Sequence, residues 1–343
     1  MYQPLELARF ALSEFERGLE GATDKEARRR TAKADGTEMN AISWTIGHIA
    51  GHWLSVAAYA KQEERPSRVV RFLGSHADPT PLPLTDALKL LDDAKKSADW
   101  LGGAADSLLS SSPAGFLLSR ESVGTNVMRV ILHSWFHTGE INAVRQMLGH
   151  AEIGFIGDVQ GHQEWHGGSN GIEHGYRPDE LVRFAISEFQ RVLEGLADEE
   201  AQICTSKPDG SQMNAVTWTI GHIAMHWLFA YALMTRERMP IGERLFFGPG
   251  DDPTPPSLGD MRTMFADATA RTEGWLPDVD DDLLSSKRDF GPLADETLGT
   301  QLMRAVLHTW FHTGEVNAVR QMLGHAEIPF VGRLIGNLEW RSE

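Results

Sequence analysis

The sequence predicts an all-α protein built from two tandem four-helix bundles, and three observations lead to this prediction. The chain has 343 residues, more than one hydrophobic core usually contains. Its second half repeats its first half, and in each half the apolar residues recur mostly at the period of amphipathic helices. No segment combines apolar–polar alternation with many β-branched residues, so strands are not expected.

The internal repeat is strongest in two segments. Asn40–Leu54 returns as Asn214–Leu228 with 12 of 15 residues identical. Leu132–Ile153 returns as Leu307–Ile328 with 20 of 22 residues identical. Such similarity indicates that the two halves fold in the same way.

The repeat also predicts the domain boundaries. The first bundle is expected at 1–165 and the second at 176–343, with a Gly-rich, polar linker at 166–175. Two similar domains joined in this way are expected to pack about a pseudo-two-fold axis. One chain would then reproduce the interface of a homodimer and act as a monomer.

Four segments of each copy have helical character, and four helices in a domain of this size suggest a four-helix bundle. In the first copy they are Leu5–Leu19, a helix from the N-cap Asn40 to about Ala60, Leu84–Leu101, and Val123–Leu148, which Gly149 ends. The imidazole of His150 is expected to bond the last carbonyls of that fourth helix.

Composition excludes several classes of function. The 48 acidic residues outnumber the 32 basic ones, and no basic cluster suits a nucleic-acid backbone. The N-terminus does not resemble a signal peptide, and no apolar stretch is long enough to span a bilayer. Cys204 is the only cysteine, which fits a reducing cytoplasm. We therefore predict a cytoplasmic protein that acts on a small molecule, without nucleic-acid or membrane partners.

The 14 histidines carry most of the functional information. Ten of them form five repeated pairs: His48/His222, His52/His226, His133/His308, His137/His312 and His150/His325. His133 and His137 are four residues apart on a predicted helix, which separates them by about 40° and about 6 Å. Both imidazoles can therefore reach one metal ion, and the same spacing recurs in the second copy.

A third nitrogen is expected from His48, which lies on an earlier helix. His48 and His52 are also spaced as a chelating pair, but we prefer His48 as the ligand and His52 as a neighbouring or substrate-facing group. Glu140 is either a further ligand or an acid/base that orients bound water. Three imidazoles suit a divalent ion, zinc by default, with nickel, iron or copper as alternatives. The competing interpretation is that these histidines are polar core residues without a metal.

Other recurring residues on the same helices are interpreted more simply. Aromatic residues at core spacings are expected to be buried: Trp44, Trp53, Trp135 and Phe136. For the polar residues Asn142, Arg145 and Gln146, buried hydrogen bonding between the two domains is preferred to substrate binding.

Two motifs resemble the DinB superfamily, also called the DinB/YfiT-like superfamily. They are Trp-Thr-Ile-Gly-His-Ile-Ala at 44–50 and Leu-His-Ser-Trp-Phe-His-Thr-Gly-Glu-Ile at 132–141, and both recur in the second copy. The resemblance implies up-down-down-up bundles, often dimeric, with one metal-binding triad in each copy. The implied ligands are His48, His133, His137, His222, His308 and His312. His52 and Thr138 depart from the family's commonest residues, which are acidic and Arg, and this bears on the substrate rather than on the metal.

Some members of that superfamily use low-molecular-weight thiols, so the resemblance implies a metal-dependent S-transferase or isomerase. Glu140 and His52, with Glu315 and His226, are the acid/base candidates. A metallohydrolase that activates water would need the same ligands. A non-catalytic metal-binding or sensing protein is the third alternative, with His52 completing the ligand set.

Overall fold

In the part of the chain that the structure describes, the regular structure is almost entirely helical, which confirms the predicted all-α class. A computed structural model describes residues 1–73, 78–113, 121–154, 163–167, 175–240, 256–289, 295–330, 334 and 336–342. The first copy contains α1 (Pro4–Arg17), α2 (Asp24–Ala27), α3 (Ile42–Lys61), α4 (Ser67–Val70), α5 (Leu84–Ser97), a 3-10 helix (Ala98–Gly103), α6 (Asp106–Leu109) and α7 (Val123–Met147). The second copy contains α8 (Pro178–Val192), α9 (Asp198–Ala201), α10 (Val216–Thr235), α11 (Leu258–Trp275), a 3-10 helix (Leu276–Asp278), α12 (Asp281–Ser285) and α13 (Leu298–Met322).

The four long helices of each copy begin and end close to the predicted positions. Helix α7 starts after Ser122, whose hydroxyl accepts a hydrogen bond from the Thr125 backbone N–H, and Gly149 follows its end with φ of 95°. The predicted N-cap of α3 is wrong by one residue. Ala41, not Asn40, caps α3, and it does so without a side-chain hydrogen bond. Ala41 is fully buried, so packing rather than capping fixes this helix start.

The long helices of each copy are arranged around the last one. In the first copy α1 and α3 pack on α7, and α3 also packs on α5. In the second copy α8 and α10 pack on α13, and α10 also packs on α11. Helices α7 and α13 pack on one another as well, which explains why nearly every residue of both is buried.

The contact between α7 and α13 depends on two glycines. A Cβ atom on Gly139 would lie 1.8 Å from the Phe311 carbonyl oxygen, and one on Gly314 would lie 1.7 Å from the Phe136 carbonyl oxygen. Both distances are far below van der Waals contact, so only glycine allows the two backbones to approach this closely. The contacts are reciprocal, since each copy supplies one glycine and one carbonyl.

The ends of each copy pack on the long helix of the other. The hydroxyl of Tyr2 donates to the Gly299 carbonyl at 2.8 Å, and that of Tyr176 donates to the Gly124 carbonyl at 2.9 Å. The two short strands β1 (Gly175–Tyr176) and β2 (Trp340–Arg341) pair antiparallel and join the start of the second copy to its end. This pair is an element that the sequence did not predict.

A predicted feature falls in a part of the chain that the structure does not describe. Most of the predicted linker, 168–174, lies outside the described residues. The domain boundaries therefore stay a prediction. Within the described part of the chain, no helix combines the length and apolarity that crossing a membrane requires.

Candidate metal centre

Three histidines of the first copy converge on one point. His48 lies on α3, and His133 and His137 lie one turn apart on α7. The Nε2 atom of His133 is 3.3 Å from Nε2 of His48 and 2.9 Å from Nε2 of His137. Nitrogen ligands at about 2.0–2.1 Å from a tetrahedral zinc ion lie about 3.3–3.4 Å apart. The triad therefore has nearly the spacing of a metal site.

The second copy repeats this geometry. His308 Nε2 is 3.2 Å from Nε2 of His222 and 3.0 Å from Nε2 of His312. In both triads the candidate ligand atoms all lie within 4.8 Å of one another. The structure thus brings together all six histidines that the sequence proposes as ligands.

Hydrogen bonds at Nδ1 fix which ring nitrogen faces the centre of the first triad. His48 Nδ1 lies 2.7 Å from the Phe72 carbonyl oxygen and must donate to it. His137 Nδ1 donates to the Glu140 carboxylate. In the neutral rings both Nε2 atoms then carry lone pairs that point at His133.

Hydrogen bonds among the three rings cannot satisfy all of their Nε2 lone pairs. A neutral His133 can offer one Nε2–H, which can donate to His48 or to His137 but leaves the other lone pair without a donor. A cation at the centre would accept all three lone pairs. The residues therefore fit a divalent metal ion, and Glu140 and the Phe72 carbonyl are the outer partners that hold such ligands in orientation.

Burial keeps four of these imidazoles neutral. It lowers the pKa of His48, His133 and His308 well below the ordinary value, and it lowers the pKa of His312 to about 4. Neighbouring histidines lower the pKa of His133 further. A neutral imidazole is the form that binds a metal, so these four rings are ready to coordinate at neutral pH.

The lowered pKa of His312 predicts how the metal-free protein responds to acid. Below about pH 6.5 the unfolded chain gains a proton on this residue, whereas the folded protein does not until about pH 4. The contribution of His312 to the free energy of unfolding therefore decreases as the pH falls through this window, by about 2 kcal/mol at pH 5 relative to pH 7. Urea unfolding of the metal-free protein measures this.

The matched variant is His312→Asn, which removes the ionising group. Between pH 7 and pH 5 it is expected to lose about 2 kcal/mol less stability than the unmodified chain. Equal losses in both proteins would show that His312 is protonated in the folded state.

His52 and His226 lie beside the triads. The His52 ring centroid is 4.6 Å from those of His48 and His133, and the His226 ring centroid is 4.1 Å from that of His308. Burial, with the charges of His137 and Arg129 next in importance, lowers the pKa of His52 to about 3.

Glu140 and Glu315 lie behind the triads. Each carboxylate hydrogen-bonds the Nδ1 side of a ligand ring, His137 and His312 respectively, on the opposite side from the converging Nε2 atoms. For Glu315 that distance is 2.7 Å, and burial raises the pKa of its carboxyl group. The acid/base role assigned to these residues from the sequence stays a prediction, and their visible contact is with the ligand rings.

The aromatic residues are core, as predicted, but two of them also touch the ligands. Trp53 and Trp135 are at most 2% exposed. The Trp44 ring stacks on His48 with centroids 5.0 Å apart and 15° between the planes, and Trp218 stacks in the same way on the counterpart of His48. Trp44 therefore limits the rotation of the His48 ring, and Trp218 limits that of the His222 ring.

Asn142 and Gln146 join the copies, as the preferred interpretation predicted, because the side chains of both hydrogen-bond Glu315. Asn142 Nδ2 donates to Glu315 at 3.3 Å, whereas Arg145 bonds a carbonyl of its own copy, that of Glu20, at 2.6 Å. The expected role of the His150 imidazole is wrong. Its backbone N–H caps the Arg145 carbonyl, while its Nε2 lies 3.5 Å from a Glu26 oxygen, because Gly149 turns the chain away from the helix end.

Sequence reasoning missed two features of the site. Phe330, which follows the second copy's last helix, stacks on His133 of the first copy with ring centroids 4.3 Å apart. A buried ion pair between Arg129 and Glu121 lies one turn before His133, and Arg304 with Glu296 repeats it. The recurrence of this Arg–Glu pair was a usable signal, whereas the packing of Phe330 across the copies had none.

Comparison with known proteins adds one relationship. No curated protein and no solved structure matches the chain. The family match lies in the second copy, and it includes His222, His308, His312 and Glu315. Residues 181–316, which extend from α8 into α13, match the family model of the DinB superfamily.

Proposed function

We propose that this protein is a metal-dependent enzyme in which each histidine triad binds one divalent cation and acts on a small molecule. The observation that carries this proposal is the convergence of three Nε2 atoms, two of them on rings that are held from behind through Nδ1. Three protein ligands leave a coordination position for a molecule from solution, as in catalytic metal sites. Zinc is our default assignment, and nickel or iron would fit the same ligands.

The reaction we propose is transfer or isomerisation at the sulfur of a low-molecular-weight thiol. When bound, the cation supplies positive charge that lowers the pKa of the thiol, so that it reacts as a thiolate. His52 accepts the released proton. Burial lowers the pKa of His52 to about 3, so at neutral pH the ring is uncharged and has a lone pair for that proton. The thiolate sulfur then forms a bond to an electrophilic carbon, and the leaving group departs with the bonding electrons.

The organisation of the chain is part of this proposal. We propose that the two copies are four-helix bundles related by a pseudo-two-fold axis and joined by the predicted linker, so that one chain acts as an internal dimer. The reciprocal contacts of the two glycines and the two tyrosines support this. A reducing cytoplasm, where free thiols persist, is the compartment we propose.

One observation favours a second candidate function, a non-catalytic metal-binding protein. The His52 ring lies 4.6 Å from two ligand rings and is near enough to join them as a fourth ligand. A His52→Gln variant separates the two functions. In the catalytic proposal the metal stays bound and the rate falls about 100-fold, whereas in the alternative the metal affinity falls instead.

Conjugation of a thiol to a generic electrophile tests the proposed reaction. The tag-free protein, loaded with Zn²⁺ or stripped by a chelator, is mixed with cysteine and chlorodinitrobenzene, and released chloride is measured. The loaded protein is expected to react about 100-fold faster than the stripped protein, because thiolate formation depends on the cation. Equal rates would contradict the proposal. Metal-dependent ester hydrolysis without any thiol would support a metallohydrolase instead.

A further inference from the structure

At each histidine triad, a side chain of the other copy contacts either a ligand ring or the carboxylate that holds one. At the first triad, the Phe330 ring stacks on His133 with 21° between the ring planes. The Glu140 carboxylate, which holds His137, accepts a hydrogen bond from Asn317 Nδ2 at 3.0 Å. Both Phe330 and Asn317 come from the second copy.

The same exchange occurs in the opposite direction. The Glu315 carboxylate, which holds His312, accepts a hydrogen bond from Asn142 Nδ2 of the first copy at 3.3 Å. Asn142 and Asn317 are at most 1% exposed. Each is therefore a buried amide whose N–H group points at the carboxylate behind the other copy's ligand.

Asn317 also connects the two contacts with the first triad. Its Oδ1 accepts the backbone N–H of Ile328 at 3.0 Å, two residues before Phe330. One side chain thus ties the carboxylate behind His137 to the segment that carries the ring on His133. Asn142 binds the backbone N–H of Ile153 in the corresponding way, at 2.8 Å.

We propose that the two triads are shared sites, in which Asn317 positions the first triad and Asn142 positions the second. This inference rests on the proposed metal binding. The amide occupies the carboxylate oxygen that the histidine does not use, so Glu140 presents its other oxygen to His137 Nδ1. Gln321 Nε2 donates to the same oxygen, but at 3.3 Å rather than 3.0 Å, so Asn317 is the shorter of its two bonds and its loss leaves the carboxylate freer to rotate away from the ring. The metal affinity of each copy therefore depends on a residue of the other copy.

The test measures each site alone. His222→Ala disables the second triad and His48→Ala disables the first, and both residues lie on helices away from the α7–α13 contact. In each background Zn²⁺ affinity is measured by chelator competition, with and without Asn317→Ala or Asn142→Ala. The two asparagines are matched in burial and bonding, so each variant is the control for the other.

We expect a crossed result. When only the first site can load, Asn317→Ala lowers Zn²⁺ affinity about tenfold, and Asn142→Ala changes it less than about threefold. When only the second site can load, the two effects exchange. If each variant weakens the site of its own copy, or if both weaken both sites equally, the asparagines merely stabilise the interface and the proposal fails.

A metal-independent measurement separates this inference from the proposed function. In the metal-free protein the ¹⁵N resonance of His137 Nδ1 reports its bond to Glu140. Asn317→Ala is expected to shift that resonance, whereas Asn142→Ala leaves it in place. Failure of the unmodified protein to bind Zn²⁺ would end the proposed function, but an unchanged resonance in Asn317→Ala would overturn the shared positioning alone.

Discussion

Replacing Gly139 with alanine is expected to destabilise the protein by about 3 kcal/mol, because a Cβ atom there would overlap the Phe311 carbonyl oxygen at 1.8 Å. Backbone atoms on both sides leave no flexible side chain to move aside. The contact between α7 and α13 must then open. The substitution thus separates the two long helices that carry the ligands. Urea unfolding of the metal-free protein measures the loss of stability.

Gly274→Ala is the matched control for this substitution. Gly274 lies on α11, and a Cβ atom there would meet nothing within 4 Å. Alanine is the better helix former, so this variant is expected to gain about 0.5–1 kcal/mol. Equal stability of the Gly139→Ala and Gly274→Ala proteins would show that α7 and α13 do not meet at Gly139.

The second large effect is the loss of one metal from the His137→Ala protein. Three ligands hold each ion, and structural zinc sites with four ligands gain about 10–16 kcal/mol in total, or about 3 kcal/mol for each ligand. Removing one ligand should therefore weaken the first site on the order of 100- to 1,000-fold. Metal content falls from close to two ions per chain to about one after dialysis.

His166→Ala is the control for metal content. His166 is bonded to Glu6, outside both triads, and has no counterpart in the other copy. This variant is expected to keep close to two ions per chain. Two ions retained by the His137→Ala protein would show that His137 is not a ligand.

The helices and the ligands could be predicted from the sequence because both depend on local spacing. A four-residue interval places His133 and His137 on one face of a helix wherever that helix packs. The duplication then distinguished retained histidines from incidental ones. His48 was preferred over His52 without a geometric reason, and in the structure it is His48 Nε2 that faces His133.

The contacts between the copies were harder to predict, because they join residues nearly two hundred positions apart. Nothing local indicates that Phe330 lies on His133, or that Gly139 meets a carbonyl of the other long helix. The position of Glu140 was also beyond sequence reasoning. A carboxylate three residues after His137 can reach either ring nitrogen of that imidazole. Only the structure shows that Glu140 bonds Nδ1, with Asn317 donating to its other oxygen.

Anomalous diffraction from crystals of the tag-free, Zn²⁺-loaded protein tests the proposed metal centres most directly. The account predicts two peaks per chain, each about 2.0–2.1 Å from three histidine Nε2 atoms, one at His48, His133 and His137 and one at their counterparts. Zinc absent from both triads, with the imidazoles hydrogen-bonded to one another instead, would contradict it.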